Sequence, residues 1–423
     1  MLQNGLTRMQ RSETPFPDRR ERERWLNRTV LGMGLTSFLS DVSHEMATAI
    51  LPGFLATLGV SAAALGFIEG VADGLMSLTK LWAGRLSDRL ERRKPLVVGG
   101  YFLTSGATGL LAIAAGWPMV LLARAAAWLG RGVRSPARNS MLASSVPSSS
   151  RGKAFGFERA GDTAGAVLGP LIAVALWAHF HHLPWAGSLF PFRVVFACTL
   201  IPGLAAGLCF AALVREIPRS DSSARLGSDI GKLPAPFRRA LWGIGLFGLG
   251  DYARTLMILA AAQRLAPRYG LAHAAQIAAL LYVAHNVLYA AAAYPIGALS
   301  DRFGRAFLLA TGYFFGAAAA AGFAAAFVWQ WSSIPIFLLL FSLAGISAAA
   351  SEAVEGALTA DLAQPEARGT AYGMLGAVNG LGDFLASVVV GILWASVSPA
   401  LAFAYGAAAM LAGSIFVASL KPR

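Results

Sequence analysis

The sequence predicts an all-α integral membrane protein: twelve transmembrane helices in two pseudo-symmetric six-helix bundles, with both termini cytoplasmic. Three observations predict it. Of 423 residues, 56% are apolar and only 13% are charged; a soluble domain uses roughly 25% charge. Twelve stretches approach or exceed the ~20 apolar residues that cross a bilayer. The two halves of the chain also repeat each other.

The twelve segments fall near 29–57, 62–83, 95–115, 118–140, 154–178, 194–214, 240–262, 274–299, 306–330, 334–357, 368–396 and 399–419. Connections as short as Gly116-Trp117-Pro118 force neighbouring helices to run antiparallel. Basic residues set the orientation. Seven Lys/Arg lie in residues 1–28, and six more in the Ser- and Pro-rich stretch 215–239. Alternate loops carry only Arg193, Arg264 and Arg268. Residues 1–28 are therefore read as a cytoplasmic segment, 29–214 as the first bundle and 215–239 as a cytoplasmic linker. The second bundle follows over 240–419, with a short tail at 420–423.

The same composition narrows the function. A net charge of +13 in a soluble chain would suggest nucleic acid. Here the basic residues cluster between apolar blocks, so they mark topology, and no nucleic-acid partner is expected. Cys198 and Cys209 share one apolar block and stand roughly 16 Å apart along a helix, too far for a disulfide. The first apolar block lacks a small-residue cleavage site, so it reads as a span and not a secretory signal. No Walker loop, HExxH or hydrolase elbow occurs, and neither an enzyme nor a bound cofactor is expected.

The internal repeat keeps a nearly constant offset. Gly84-Arg85-Leu86-Ser87-Asp88-Arg89 returns as Gly297-Ala298-Leu299-Ser300-Asp301-Arg302. Arg151-Gly152-Lys153-Ala154-Phe155-Gly156 returns as Arg368-Gly369-Thr370-Ala371-Tyr372-Gly373, and Asp41 has its counterpart in Asp251. A duplicated six-helix unit implies a pseudo-two-fold axis along the membrane normal, with a ligand site near mid-membrane between the halves.

The run GRLSDRLERRKP at 84–95 resembles the loop signature of the major facilitator superfamily, and GALSDRFGR at 297–305 resembles its weaker second copy. Arg124 with Gly130 and Gly132 is similar to the family's arginine-glycine motif. Gly156, Gly165 and Gly169-Pro170 match the spacing of its antiporter signature, although Ala173 and Val174 replace that signature's final glycine pair. The resemblance covers residues 29–419. It implies a secondary transporter in which segments 1, 4, 7 and 10 line a cavity. It also implies a cytoplasmic latch built from Gly84, Asp88, Arg89 and Arg92 in one half, and from Gly297, Asp301 and Arg302 in the other. The glycines at 161, 165 and 169 recur every fourth residue, which allows close helix packing.

A charge at mid-membrane costs at least ~2.5–3.5 kcal/mol on insertion scales, so ionisable residues there face a cavity or a partner. Asp41 and Glu45 share one face of the first segment at i and i+4, with His44 adjacent and no basic residue on that segment after Arg28. Desolvation and a second acid nearby favour the protonated carboxyl, and an arginine opposes this. Asp41 or Glu45, gated by Arg124, is therefore the expected proton carrier. The expected substrate cavity adds Asp73, Arg131, Asp251, Arg254, His285, Asn286, Tyr289, Glu352, Asn379 and Asp383 to Asp41, His44 and Glu45. Structural pairs are expected for Asp251 with Arg254, Glu158 with Arg159 or Lys80, and Glu352 with Arg134.

The resulting expectation is proton-coupled export of a small organic or drug-like solute across the cytoplasmic (inner) membrane by a monomer. Its partners are the solute, protons and the lipid bilayer. Two alternatives stand beside it: export of a metal ion or chelate through Asp41, His44 and Glu45, and solute uptake by proton symport. No metal site is assigned among the residues above.

Overall fold

The structure, a computed structural model, describes residues 24–59, 62–183, 187–216 and 233–420. Most of the N-terminal segment and linker, and the last three residues of the tail, lie outside the described residues. All regular structure among the described residues is helical.

In the first half, α1 (Arg28–Thr57), α2 (Ala62–Arg89) and α3 (Lys94–Gly109) are followed by α4 (Trp117–Ser144) and α5 (Arg151–His181). The half closes with α6 (Phe190–Cys198) and α7 (Leu200–Leu213). The second half contains α8 (Ala235–Gly248), α9 (Arg254–Tyr269), α10 (Leu271–Phe303) and α11 (Arg305–Val328). It ends with α12 (Ile334–Leu362), α13 (Arg368–Ser396) and α14 (Pro399–Ala418). Pro in the first two positions opens α3, α4, α6, α8, α12 and α14, where its fixed φ suits the helix and its missing N–H costs nothing. Gly304, at φ 96°, makes the tight turn from α10 to α11, a conformation open to glycine and strained for other residues.

Among the described residues, eight helical stretches are long and apolar enough to cross a membrane. The predicted segments 29–57, 62–83, 118–140 and 240–262 are helical too, but richer in charge or interrupted. Large apolar side chains such as Leu122, Ile201, Trp242, Phe303 and Phe307 are mostly exposed on the outside of the bundle, as lipid requires and water penalises.

The stretch from 194 to 214 stays helical through Thr199, whose carbonyl accepts from Gly203 N–H at 3.1 Å and from the Ser43 hydroxyl at 2.8 Å. One segment read as continuous is broken. The segment 240–262 divides between α8 and α9. There, Asp251 N–H donates to the Gly248 carbonyl, and Ala253 N–H donates to the Ser387 hydroxyl at 3.0 Å. The α8 end is Gly-rich, and a side chain from α13 takes up the amide that the break releases. Also, α8 begins at Ala235, inside the stretch read as linker.

Three apolar cores organise the packing. One lies within the first half around Phe54, Phe192 and Phe196. A second lies within the second half around Phe323, Phe337, Phe341 and Phe403. The third mixes the halves, joining Tyr101, Phe155 and Phe210 to Phe237 and Tyr372. It occupies the end of the bundle that carries Asp88 and Asp301, so the halves are packed together at that end.

Candidate functional site

The polar interior begins at the joined end. Asp88 accepts hydrogen bonds from the N–H groups of Gly369 and Thr370 at 2.8 and 2.5 Å, at the start of α13 in the opposite half. Asp301 accepts from Gly152 and Lys153 N–H, both at 2.9 Å, at the start of α5. A helix N-terminus presents unpaired N–H groups and a positive dipole end, so a carboxylate suits it.

Glycines permit the approach. A Cβ on Gly84 would strike the Gly369 carbonyl, and one on Gly152 would strike the Gly297 carbonyl. The arginines differ from expectation. Arg92 and Arg302 are exposed. Arg93 instead reaches Asp88 at 3.8 Å and the Ser140 hydroxyl at 2.9 Å. Arg305 bonds Asp301 at 2.9 Å and also pairs with Asp361. Arg89 is exposed at the end of α2.

Deeper in the first half, α4 lays three arginines along α1. Arg131 pairs with Asp41. Arg134 donates to the Ser40 hydroxyl at 2.9 Å and lies over the Tyr101 ring, 3.7 Å from its centroid. Arg138 donates to the Ser37 hydroxyl at 3.0 Å and pairs with Glu158 at 2.9 Å. The partner of Asp41 is thus Arg131 and not Arg124. Arg124 is buried two turns away, with its guanidinium 5.5 Å from the Trp128 ring, whose surroundings also include Arg131 at 5.1 Å. His44 packs edge-on against Trp128, and its Nε2 lies 3.9 Å from the Glu45 carboxylate. Helix α5 supports this face: a Cβ at Gly165 would meet the Phe38 carbonyl, and one at Gly169 would come within 2.9 Å of Glu45 Cβ. Gly156 serves the other half, against the Ala293 carbonyl on α10, and Pro170 lies within α5.

Two neighbouring cavities occupy the interior. The larger, about 300 Å³, lies between the halves. Lys80, Trp128, Arg131, Arg159 and Asp162 line it from one side, and Glu352, Glu355, Asn379 and Asp383 from the other. The smaller, about 90 Å³, lies in the second half beside the α8–α9 break, against Asp251, Arg254 and His285. Glu352, Glu355, Asn379 and Asp383 face both.

Of the expected cavity residues, Arg131, Asp251, Arg254, His285, Glu352, Asn379 and Asp383 therefore come together. Asp41, His44 and Glu45 line neither cavity; Asp41 lies behind Arg131. Asn286 and Tyr289 line neither one. The side chain of Asp73 lies outside the described residues. Glu158 pairs with Arg138 and Arg159, and not with Lys80. Glu352 pairs with Arg159 at 3.4 Å across the halves, and not with Arg134. Among the described residues, no group of three or more His, Cys, Asp and Glu side chains is placed to hold a metal ion.

Sequence reading passed over Glu355. Its Oε1 accepts from the Tyr313 hydroxyl at 2.5 Å and its Oε2 from the Asn379 amide at 2.7 Å. The signal in the sequence is Glu355 three residues after the expected cavity residue Glu352, with Asn379 on the next segment.

An apolar helical bundle whose two similar halves meet around charged internal cavities defines a membrane transporter of the secondary type. The chain belongs to the Major Facilitator Superfamily, whose model matches residues 33–263 and 241–423. It is 32% identical over 388 residues to the MFS-type transporter MJ1317 of Methanocaldococcus jannaschii, covering 91% of this chain and 93% of that one. It is 29% identical over 152 residues to the multidrug resistance protein MdtH of Edwardsiella ictaluri, covering 35% of this chain and 37% of that one. The fold matches the E. coli fucose:proton symporter FucP with a TM-score of 0.72 at 15% identity, covering 93% and 98% of the two chains. The protein is a multi-pass membrane transporter and not an enzyme.

Proposed function

We propose that the protein is a twelve-span, proton-coupled exporter of a small organic solute in the cytoplasmic membrane, working by alternating access. The observation that carries the reading is the Asp41–Arg131 pair directly behind the inter-half cavity. A proton on Asp41 removes the attraction that holds Arg131, which frees the arginine, already on the cavity wall, to engage a solute there. Loss of the proton draws it back. Deprotonated Asp41 is stabilised by the nearby cation, and desolvation opposes that ionisation. The balance lets the pair respond to both proton and solute.

The four charge-rich segments complete the twelve spans: Lys80, Arg131, Arg134, Arg138, Asp251 and Arg254 on them line the cavities, and Asp41 is paired with Arg131. The contacts of Asp88 and Asp301 form the latch that holds the cytoplasmic end shut while the cavity faces outward, and the positive-inside bias supports that orientation. The larger cavity is basic on one wall and acidic on the other, which favours a solute carrying both a negative and a positive group. The antiporter-like glycines on α5 and the local similarity to MdtH support export.

The test is accumulation of candidate solutes in cells and proteoliposomes with and without an uncoupler. Export predicts that dissipating the gradient raises internal solute, and that Asp41→Asn does the same. Gradient-driven uptake would instead select symport, and full gradient-driven flux in Asp41→Asn would remove the proton role.

A further inference from the structure

The two halves treat their most buried glutamates differently. Glu158, on α5, is fully buried and bound by two arginines, Arg138 at 2.9 Å and Arg159 at 3.4 Å. Its carboxylate thus has a cation on each side. Glu355, on α12, is 5% exposed, and its two oxygens meet only the Tyr313 hydroxyl and the Asn379 amide. Among the described residues no Lys or Arg pairs with it. An ionised carboxylate there keeps two hydrogen bonds but lacks a counter-charge, in a medium where buried charge without one is costly.

The partners of Glu355 suit both states. Toward a carboxylate, the Tyr313 hydroxyl and the Asn379 amide both donate. Toward a protonated carboxyl, the tyrosine oxygen can accept the acid proton and turn its own hydrogen elsewhere. An arginine cannot make that exchange, because it has no acceptor.

Glu355 also faces both cavities, so water can reach it from the inter-half side and from the second-half side. The charged and titratable groups around it come from every neighbouring element. Tyr313 is on α11, Asn379, Asp383 and Tyr372 are on α13, Asp251 is in the α8–α9 break, Arg254 is on α9, His285 is on α10, and Glu352 is on α12 itself. Lys80, Arg131, Arg134, Arg138, Arg159 and Asp162 line the larger cavity from the other half. Three acids, Glu352, Asp251 and Asp383, share the lining of the smaller cavity with Glu355. A further contact links the site to the backbone break. The Tyr313 ring stacks on Phe247 with centroids 3.7 Å apart and planes 9° from parallel, and Phe247 is the next-to-last residue of α8.

We propose that Glu355 is a second proton-binding site, housed in the C-terminal half and joined through Tyr313 and Phe247 to the broken helix that carries Asp251. The site rests on the proton-coupled reading above and deepens it: each half then holds one exchangeable carboxyl, Asp41 against an arginine and Glu355 against neutral donors. In the step itself, one proton from cavity water adds to a Glu355 oxygen and later returns to water. Only an O–H bond forms and breaks.

The test is infrared difference spectroscopy of the full-length protein in lipid nanodiscs across a pH series. The wild type is expected to show a protonated-carboxyl C=O band that disappears as pH rises. Glu355→Gln removes that band, and Tyr313→Phe keeps it but shifts its frequency and its titration midpoint, because one hydrogen bond is lost. If the band and its titration persist in Glu355→Gln, or no such band exists in the wild type at any pH, the site is overturned. Glu355→Asp supplies the same reading should the glutamine variant fold poorly: a displaced band supports the site, and an unchanged one removes it. The proton role of Asp41 fails separately, if Asp41→Asn leaves uncoupler-sensitive flux intact while the Glu355 band behaves as described.

Discussion

Asp88 and Asp301, 213 residues apart in sequence, make the same contact on opposite sides of the molecule. Each carboxylate sits on the first two N–H groups beyond an arginine at the start of a helix in the other half, after Arg368 and after Arg151 respectively. Both contacts lie at one end and both cross the interface, the arrangement that the proposed double latch needs. Hydrogen bonds to a charged group contribute about 1.5–3 kcal/mol each, and a helix N-terminus adds about 0.3–1 kcal/mol. Asp88→Asn keeps an acceptor but loses the charge, and a shift of about 1–3 kcal/mol toward opening at that end is expected. Pulsed electron resonance between spin labels on either side of the latch reads it. Asp301→Asn is expected to act in the same direction. Unchanged distance distributions in both variants would show that the contacts are ornamental.

The glycines beneath the latch give an independent handle. Adding a methyl at Gly152 drives it into the Gly297 carbonyl, and at Gly84 into the Gly369 carbonyl. Backbone cannot yield as a flexible side chain does, and overpacking of this kind costs typically ~1–3 kcal/mol. Gly152→Ala and Gly84→Ala are therefore expected to open the latch end as Asp88→Asn does, in the same spin-label measurement. Gly106→Ala is the control, since a Cβ there meets nothing within 4 Å. Equal distances in all three variants would count against close glycine packing as the basis of the seal.

These features were legible because the chain states them twice. Gly84 with Asp88 and Gly297 with Asp301 share a register, and Arg151-Gly152 and Arg368-Gly369 share another; the latch itself was implied by the resemblance, and the pairing of one repeat with the other comes from the structure. The break at 249–253 was not legible: Gly248 and Gly250 are tolerated in membrane helices, and hydropathy records an apolar run whether or not the helix continues through it. The choice of Arg131 over Arg124 was hidden for a related reason. Both arginines lie on α4 seven residues apart, about two turns, so they share a face and only the axial offset of α1 decides which meets Asp41. Glu355 is not legible because its partners, Tyr313 on α11 and Asn379 on α13, are brought to it only by the packing of those helices.

The Asp41–Arg131 pair predicts a pattern of non-additive stability. Removing one member of a buried ion pair leaves an uncompensated charge and costs about 3–5 kcal/mol, while replacing both is often close to neutral. Arg131→Met is expected to lower thermal stability in detergent, with Asp41→Asn recovering most of it in the double variant. Arg124→Met, whose guanidinium is not on Asp41, is not expected to be rescued by Asp41→Asn. Rescue of both arginine variants to the same extent would mean that Asp41 is shared between them.

The two buried glutamates predict opposite responses to the same substitution. In Glu158→Gln, Arg138 and Arg159 lose the carboxylate between them, and Ser37, which donates to Glu158 at 2.5 Å, must rearrange. Arg159 retains Glu352 and Asp162 at 3.4 Å each, but Arg138 keeps only neutral partners, the Ser37 hydroxyl at 3.0 Å and the Tyr101 hydroxyl at 3.4 Å. A buried cation in that state costs about 3–5 kcal/mol. In Glu355→Gln the amide oxygen still accepts from Tyr313, and Asn379 can turn its own carbonyl toward the new NH₂ group. That exchange of hydrogen bonds is worth at most about 0.5–1.5 kcal/mol. Parallel thermal unfolding of the two variants in one detergent should show a large loss for Glu158→Gln and a small change for Glu355→Gln. Equal losses would place both glutamates among the fixed structural charges. A large loss at position 355 alone would indicate that Glu355 normally carries a negative charge that some cation balances.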